Sequence, residues 1–258
     1  MSSKVNYNEI SQVYNVRYSV SPLEGVSSFL KNLVETNSPQ TILEVGCGTA
    51  HWLKDLSNYK CQLFGGDYSI GMLKQSGTNP FENIHLFNTD ANLLPLKQNS
   101  FDLIICINAI HHFTDKEKFI IDSSKLLKSN GIISIIGLDP RDTNVEWSLY
   151  KYFDRTYQID LDRFPSFDDI STWMDINGCH RIEKKLVHTV DNIIKGRDVL
   201  TDHFLDKRGA SQLALLSDEE YQNGISKIKS EIEKAEAEGK EFEFIVKLNF
   251  YSITGFKK

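Results

Sequence analysis

Apolar residues recur at helical spacing at Val26, Phe29, Leu30, Leu33 and Val34, which predicts an amphipathic helix over 22–36 that stops before Asn37-Ser38-Pro39. Short apolar bursts then follow at 41–45, 61–65, 84–87, 101–107 and 132–138, with helical stretches between them at 50–58, 69–76 and 115–129. Asn130-Gly131 reads as a left-handed cap on the last of these helices. Strands alternating with helices predict a parallel sheet with crossover connections. Beyond Pro140 the pattern changes. Trp147, Tyr150, Tyr152, Phe153 and Tyr157 form an aromatic-rich stretch, a helix is expected from Phe167 to Ile176, and a strand over 181–187. The segment 192–236 reads as helical. Within it Tyr221, Ile225, Ile228, Ile232 and Ala235 make one apolar stripe, while Glu231, Glu233, Lys234 and Glu236 make a solvated face. Phe242, Phe244, Val246, Leu248 and Phe250 alternate with polar residues, so 243–254 is expected as an antiparallel edge strand on a mainly parallel sheet. The fold class is therefore α/β: a doubly wound, mostly parallel sheet of about seven strands with an antiparallel last strand and a helical cap.

Composition agrees with a packed domain. The chain has 258 residues, 40% apolar and 25% charged, which fits one large domain or one domain carrying an insertion and excludes disorder, collagen and rod-like coiled coils. A net charge of -6 argues against a nucleic-acid partner, whose phosphates are bound chiefly by Lys and Arg. Cys47, Cys61, Cys106 and Cys179 show no C-x-x-C spacing, so reduced thiols and a cytoplasmic location are expected, without a structural metal. The start, Met1-Ser2-Ser3-Lys4-Val5-Asn6-Tyr7, has no apolar core of a leader. The longest apolar run, 132–138, is far short of the roughly 20 residues that span a bilayer, so no membrane partner is expected.

The chemistry concentrates at the ends of the first strands. Ile42-Leu43-Glu44-Val45-Gly46-Cys47-Gly48-Thr49-Ala50 is an apolar strand ending in an acid and two glycines, just before a helix. Glycines there let backbone approach a ligand, at the strand end where doubly wound sheets bind cofactors. A dinucleotide fingerprint would need glycine where His51 stands, and no G-K-[ST] follows. Asp67 closes the next strand about twenty residues on, placed to accept from ribose hydroxyls. Asp90, after the third strand, is placed to accept from an adenine amino group. Taken singly, Glu44 and Asp67 read equally as helix-start acids. Three acids in register point to one adenosine.

In order and spacing these segments resemble the class I S-adenosylmethionine-dependent methyltransferases, particularly their small-molecule, ubiquinone-biosynthesis-like branch. Glu44-Val45-Gly46-Cys47-Gly48 is similar to the family's first motif, Asp67 to its ribose acid, and Asp90-Ala91 with Leu94-Pro95 to its adenine-side loop. Ser100-Phe101-Asp102-Leu103-Ile104 resembles the fourth strand, and Leu126-Leu127-Lys128 through Gly131-Ile132-Ile133 the fifth. Ala50 departs from the pattern, since the family usually has a third glycine there. The resemblance implies a Rossmann-like fold and S-adenosylmethionine as cofactor, leaving S-adenosylhomocysteine. It also implies a methyl transfer to oxygen or nitrogen of a small-molecule acceptor, carboxylates included. It further implies cofactor contacts from Glu44, Gly46, Cys47, Gly48, Asp67, Tyr68, Met72, Asp90, Ala91 and Asn108.

Cys106-Ile107-Asn108-Ala109-Ile110-His111-His112-Phe113 follows the fourth strand, where the family's acceptor pocket begins. His112 or His111 is a candidate general base, because a histidine near neutrality suits removing a proton from a hydroxyl or amine; both also read as plain pocket wall. Adjacent histidines point apart, so a two-histidine metal site is not expected. Tyr7, Tyr14, Arg17 and Tyr18 form a polar aromatic cluster that either lids the cofactor, with Tyr14 and Arg17 touching it, or packs on the sheet edge. Arg141, Arg155 and Arg163 are candidates to hold an acceptor carboxylate. His180, His188 and His203 are expected to be bystanders. The expected organisation is a single domain with N-terminal lid helices at 1–38, a cofactor core at 40–140 and a helical cap at 192–240, as monomer or homodimer. The competing readings are a non-catalytic S-adenosylmethionine-binding protein and an NAD(P)-dependent oxidoreductase.

Overall fold

The computed structural model describes residues 5–77 and 81–258. Positions 1–4, which belong to the expected leaderless start and lid, lie outside the described residues. Helices α1 (Tyr7–Tyr14) and α2 (Val16–Val20) precede α3 (Glu24–Asn37), which buries Val26, Leu30, Leu33 and Val34 as a single stripe. The alternating core runs β1 (Thr41–Val45), α4 (His51–Asp55), β2 (Gln62–Asp67), α5 (Ile70–Gln75), β3 (Ile84–Asn88) and β4 (Phe101–Ile107). After a 3₁₀ turn at Ile110–His112 come α6 (Lys116–Leu126) and β5 (Leu127–Gly137). The remainder is β6 (Glu146–Trp147), α7 (Ser148–Tyr152), α8 (Thr156–Arg163), α9 (Phe167–Ile176), β7 (Cys179–Lys195), α10 (Asp218–Ala237) and β8 (Glu243–Lys257).

Among the described residues eight strands make one sheet, in the order β3-β2-β1-β4-β5-β8, with β7 and the two-residue β6 both paired to β8. The first five are mutually parallel, so the loops leaving their carboxyl ends share one rim. The strand order reverses between β1 and β4, and a crevice opens at that point. Strand alternation divides the core. Ile42, Leu63, Leu103 and Ile105 face α3 and α4, while Leu43, Ile104 and Ile133 face Phe119, Ile120 and Met174 of α6 and α9.

The expected strands and the helix Phe167–Ile176 are present. Four local expectations change. The helix expected to reach 129 stops at Leu126, because Leu127 already pairs with Phe101; Asn130, at φ +63°, lies within β5 and caps no helix. The strand expected at 181–187 runs from Cys179 to Lys195. The segment 192–236 is not continuously helical: Ile193 and Ile194 pair with Ile245 and Phe244, 3₁₀ turns follow between 196 and 215, and only α10 is a long helix. A partner strand satisfies those backbone groups, which local periodicity cannot see. Finally β8 is antiparallel but lies between β5 and β7 instead of outermost, and β6 brings the expected seven strands to eight. A third apolar cluster joins Leu149 and Phe153 of the 140–165 region to Val199, Leu213, Ile228, Ile232 and Phe244. The cap thus draws on residues well before 192.

Candidate functional site

The turn after β1 is built on left-handed backbone: Gly46 at φ +78°, Gly48 at +54° and Ala50 at +59°. A Cβ on Gly46 would stand 2.4 Å from that of Ala109, so only glycine passes there. The N–H groups of Gly46 and Cys47 donate to the Gly66 carbonyl, which pins the turn to β2. Asp67, at the end of β2, accepts from the Gly48 and Ser69 N–H groups, both at 2.8 Å. Ser69 caps α5 by accepting from the Met72 N–H. Asn8 of α1 reaches the same place, its Oδ1 accepting from Gly71 N–H and Ser69 Oγ–H.

Glu44 is 1% exposed, and its Oε2 has no hydrogen-bond partner. Burial raises its pKa well above the usual carboxylate range, and the Asp67 charge adds to the effect. Burial also raises Asp67, against the two N–H groups that favour its charged form.

A cavity of about 510 Å³ opens above this turn. Glu44, Gly46, Cys47, Gly48, Asp67 and Met72 form one side of it. Tyr68, Asp90, Ala91 and Asn108 also line it, although the Tyr68 side chain is largely in solvent. Asp90 holds its own loop by accepting from Asn92 N–H at 2.8 Å. A second chamber of about 320 Å³ adjoins, walled by Trp147, Tyr150, Phe204, Val246, Leu248 and Phe250. Tyr7, Tyr14, Tyr18, Asn108, His111 and His112 line both. Arg17, grouped with the cofactor contacts in the sequence reading, lines the second chamber, where it lies over the Tyr14 ring.

The two histidines sit on the 3₁₀ turn after β4, at the boundary of the cavities. His112 Nε2 and Tyr7 Oη share a hydrogen bond of 2.6 Å, and His111 stacks on Phe164 with ring centres 4.0 Å apart. Burial, followed by the charges of Arg163, Arg17 and Lys116, pushes the His112 pKa down to about 3. His111 is likewise held well below its ordinary value, by burial first. Burial raises the Tyr7 hydroxyl. Neutral imidazoles of such low proton affinity are weak bases at neutral pH.

Of the three candidate arginines, Arg141 ties Asp139 to the Leu161 and Phe164 carbonyls, and Arg155 pairs with Glu220 at the surface. Arg163 alone stands at the cavity. His51, where a dinucleotide turn would need glycine, stacks on Tyr18 at 3.7 Å. His188 Nδ1 accepts from Gly25 N–H, far from the rim, and among the described residues no group of three or more His, Cys, Asp or Glu is placed to hold a metal. No described helix is long and apolar enough to cross a membrane. Sequence reasoning missed Asn8, Ser69 and the ion pair of Arg163 with Asp160. The last was readable as an acid and a base three apart on a helix.

Residues 43–135 match the family described as methyltransferase domain. An uncharacterized methyltransferase, YcgJ of Bacillus subtilis, is 24% identical over 135 residues, covering 51% of this chain and 53% of that protein. A demethylmenaquinone methyltransferase of Staphylococcus epidermidis is 30% identical over 135 residues, covering 49% and 56%. The chain thus spans about half the length of the curated relatives it matches. The crystal structure of YcgJ superposes with a TM-score of 0.60 at 19% identity, covering 89% of this chain and 97% of that one. A SAM-dependent methyltransferase from Aquifex aeolicus gives 0.57 at 13% identity, covering 99% and 100%. At these identities the likeness is one of fold, and it extends well past the matched segment.

Proposed function

We propose that this chain, whose residues 43–135 are a class I S-adenosylmethionine-dependent methyltransferase domain, transfers a methyl group from S-adenosylmethionine to an oxygen or nitrogen of a small-molecule acceptor. The observation that carries the reading is the unpartnered Glu44 Oε2 at the wall of the larger cavity, above a turn in which a Cβ on Gly46 would clash. A buried acceptor without a donor is unfavourable by about 1–3 kcal/mol, so it fits a ligand that brings one, such as an ammonium. These residues fit the cofactor. Glu44 would accept from its ammonium, Asp67 from its ribose hydroxyls, and Asp90 and Ala91 would border its adenine.

When bound, S-adenosylmethionine supplies an electrophilic methyl group on a sulfonium. The protein's part is placement. Asn108, held with positive φ by its N–H bond to the Ile136 carbonyl, lies in the wall common to both cavities. His111 and His112 form the same wall, and Tyr7 with Tyr14 closes it from the N-terminal helices. Aligning an acceptor there and excluding water supplies much of the acceleration that methyl transfer requires. With His112 neutral and already bonded to Tyr7, its role is to orient an acceptor and to take a proton only from a group that is itself acidic.

Calorimetric titration with S-adenosylhomocysteine, with NADH as control, tests the reading. Micromolar binding of the first alone is expected. Binding of neither, or of NADH alone, would remove it.

A further inference from the structure

The two cavities meet at a group of cations that placement of the methyl donor leaves without a task. Arg163, at the end of α8, is anchored by one nitrogen: Nη2 donates to Asp160 Oδ1 at 2.6 Å and to Ser211 Oγ at 3.0 Å. Its Nε and Nη1 are buried and donate to nothing, in a side chain only 13% exposed. Asp160 cannot serve them, since its other oxygen accepts from Tyr150 Oη–H at 2.9 Å. Lys116, bonded to the Phe113 carbonyl, lines the same cavity, and Arg17 lines the neighbouring chamber. After burial, these three are the charges acting on His112, and all are positive. They therefore surround the point where His112 meets Tyr7, and a buried positive cluster with unused donors is favourable only when an anion joins it. Beyond that point the smaller chamber offers aromatic and aliphatic walls from Trp147, Val246, Leu248 and Phe250.

We infer that the methyl acceptor is an anion with an apolar body: Arg163 receives its carboxylate beside His112, and the body fills the chamber under the cap. This rests on the methyltransferase reading and specifies its substrate class. A carboxylate could also come from the methionine part of the cofactor, and the two sources separate by experiment.

The full chain is titrated with S-adenosylhomocysteine and with 5′-methylthioadenosine, which lacks the amino-acid carboxylate. The S-adenosylhomocysteine-loaded chain is then titrated with cinnamate and with the isosteric neutral cinnamamide. The wild type should take cinnamate at least about tenfold tighter than cinnamamide, as a charge-assisted bond predicts. Arg163→Gln should bring that ratio near one while leaving S-adenosylhomocysteine affinity within about threefold; Arg163→Lys, which can keep the pair with Asp160, should retain part of the preference. Equal binding of the two probes by the wild type, or binding of neither, overturns the inference without a variant having to fold. Weakening of S-adenosylhomocysteine but not of 5′-methylthioadenosine by Arg163→Gln assigns Arg163 to the cofactor and overturns it too. Failure of the wild type to bind S-adenosylhomocysteine removes the methyltransferase reading itself, and the inference with it.

Discussion

Tyr7 Oη and His112 Nε2 lie 2.6 Å apart although 105 residues separate them in the chain. This bond fastens the first helix to the turn after the fourth strand, at the wall the two cavities share. Tyr7→Phe removes it and leaves the imidazole nitrogen without a partner. A hydrogen bond of this kind contributes on the order of 1 kcal/mol, so turnover should fall about 3- to 10-fold, with S-adenosylhomocysteine affinity nearly unchanged. Steady-state kinetics beside calorimetry distinguishes this from an effect on the cofactor.

The His112 pKa, pushed down to about 3, sets a pH window. The unfolded chain binds a proton at this histidine below about 6.5 and the folded chain only near 3, so stability is full above about 6.5 and is lost as the pH falls toward 3. Thermal melts from pH 7 to 4 should fall less steeply in His112→Gln than in the wild type. The methylation rate should show no inflection from His112 between pH 5 and 8; one that disappears in His112→Gln would contradict its neutrality.

Glu44 gives the opposite slope. Its folded pKa is raised by burial, so its contribution to stability is intact below the unfolded value near 4.5 and diminishes as the pH rises through the folded value. Glu44→Gln should therefore melt higher than the wild type at pH 8 and equally at pH 4. The same variant should bind S-adenosylhomocysteine about 10- to 100-fold more weakly, the loss of a charge-assisted bond. Wild-type binding should release a proton, measurable by calorimetry in two buffers of different ionisation enthalpy.

Asp67 uses both oxygens as acceptors for Gly48 and Ser69 N–H groups. In Asp67→Asn one of those N–H groups faces an amide NH₂, so the turn and the ribose contact suffer together. Binding of S-adenosylhomocysteine should weaken more than about tenfold, with a stability loss of about 1–2 kcal/mol by denaturant titration. Unchanged affinity would leave Asp67 a turn-forming residue alone.

The glycine turn offers a contrasting pair. Gly46→Ala places a methyl at φ +78° against Ala109 and should abolish cofactor binding. Ala50→Gly relieves a left-handed alanine, worth about 1–2 kcal/mol, while losing a buried methyl and gaining chain entropy when unfolded; melting point and affinity should stay close to wild type. Differential scanning fluorimetry and calorimetry check both.

Much of this protein was legible in its sequence where the signal is local. Burst-and-helix alternation specified the parallel core, and Glu44, the glycines, Asp67 and Asp90 follow strand ends, where topology alone brings them to one rim. The extent of β7 was not legible, because Ile193 and Ile194 join a strand only when Ile245 and Phe244 are alongside. The cap likewise forms from residues near 150 and near 228 that share no local pattern.

By itself the sequence determined the order of elements and the cofactor side of the cavity, since periodicity and glycine are properties of adjacent residues. Only the tertiary structure decided that Tyr7 meets His112, that both histidines are neutral, and that Arg163 rather than Arg141 or Arg155 stands at the cavity with donors unused. Burial and the positions of distant charges set those properties, and both arise from contacts between residues far apart in the chain.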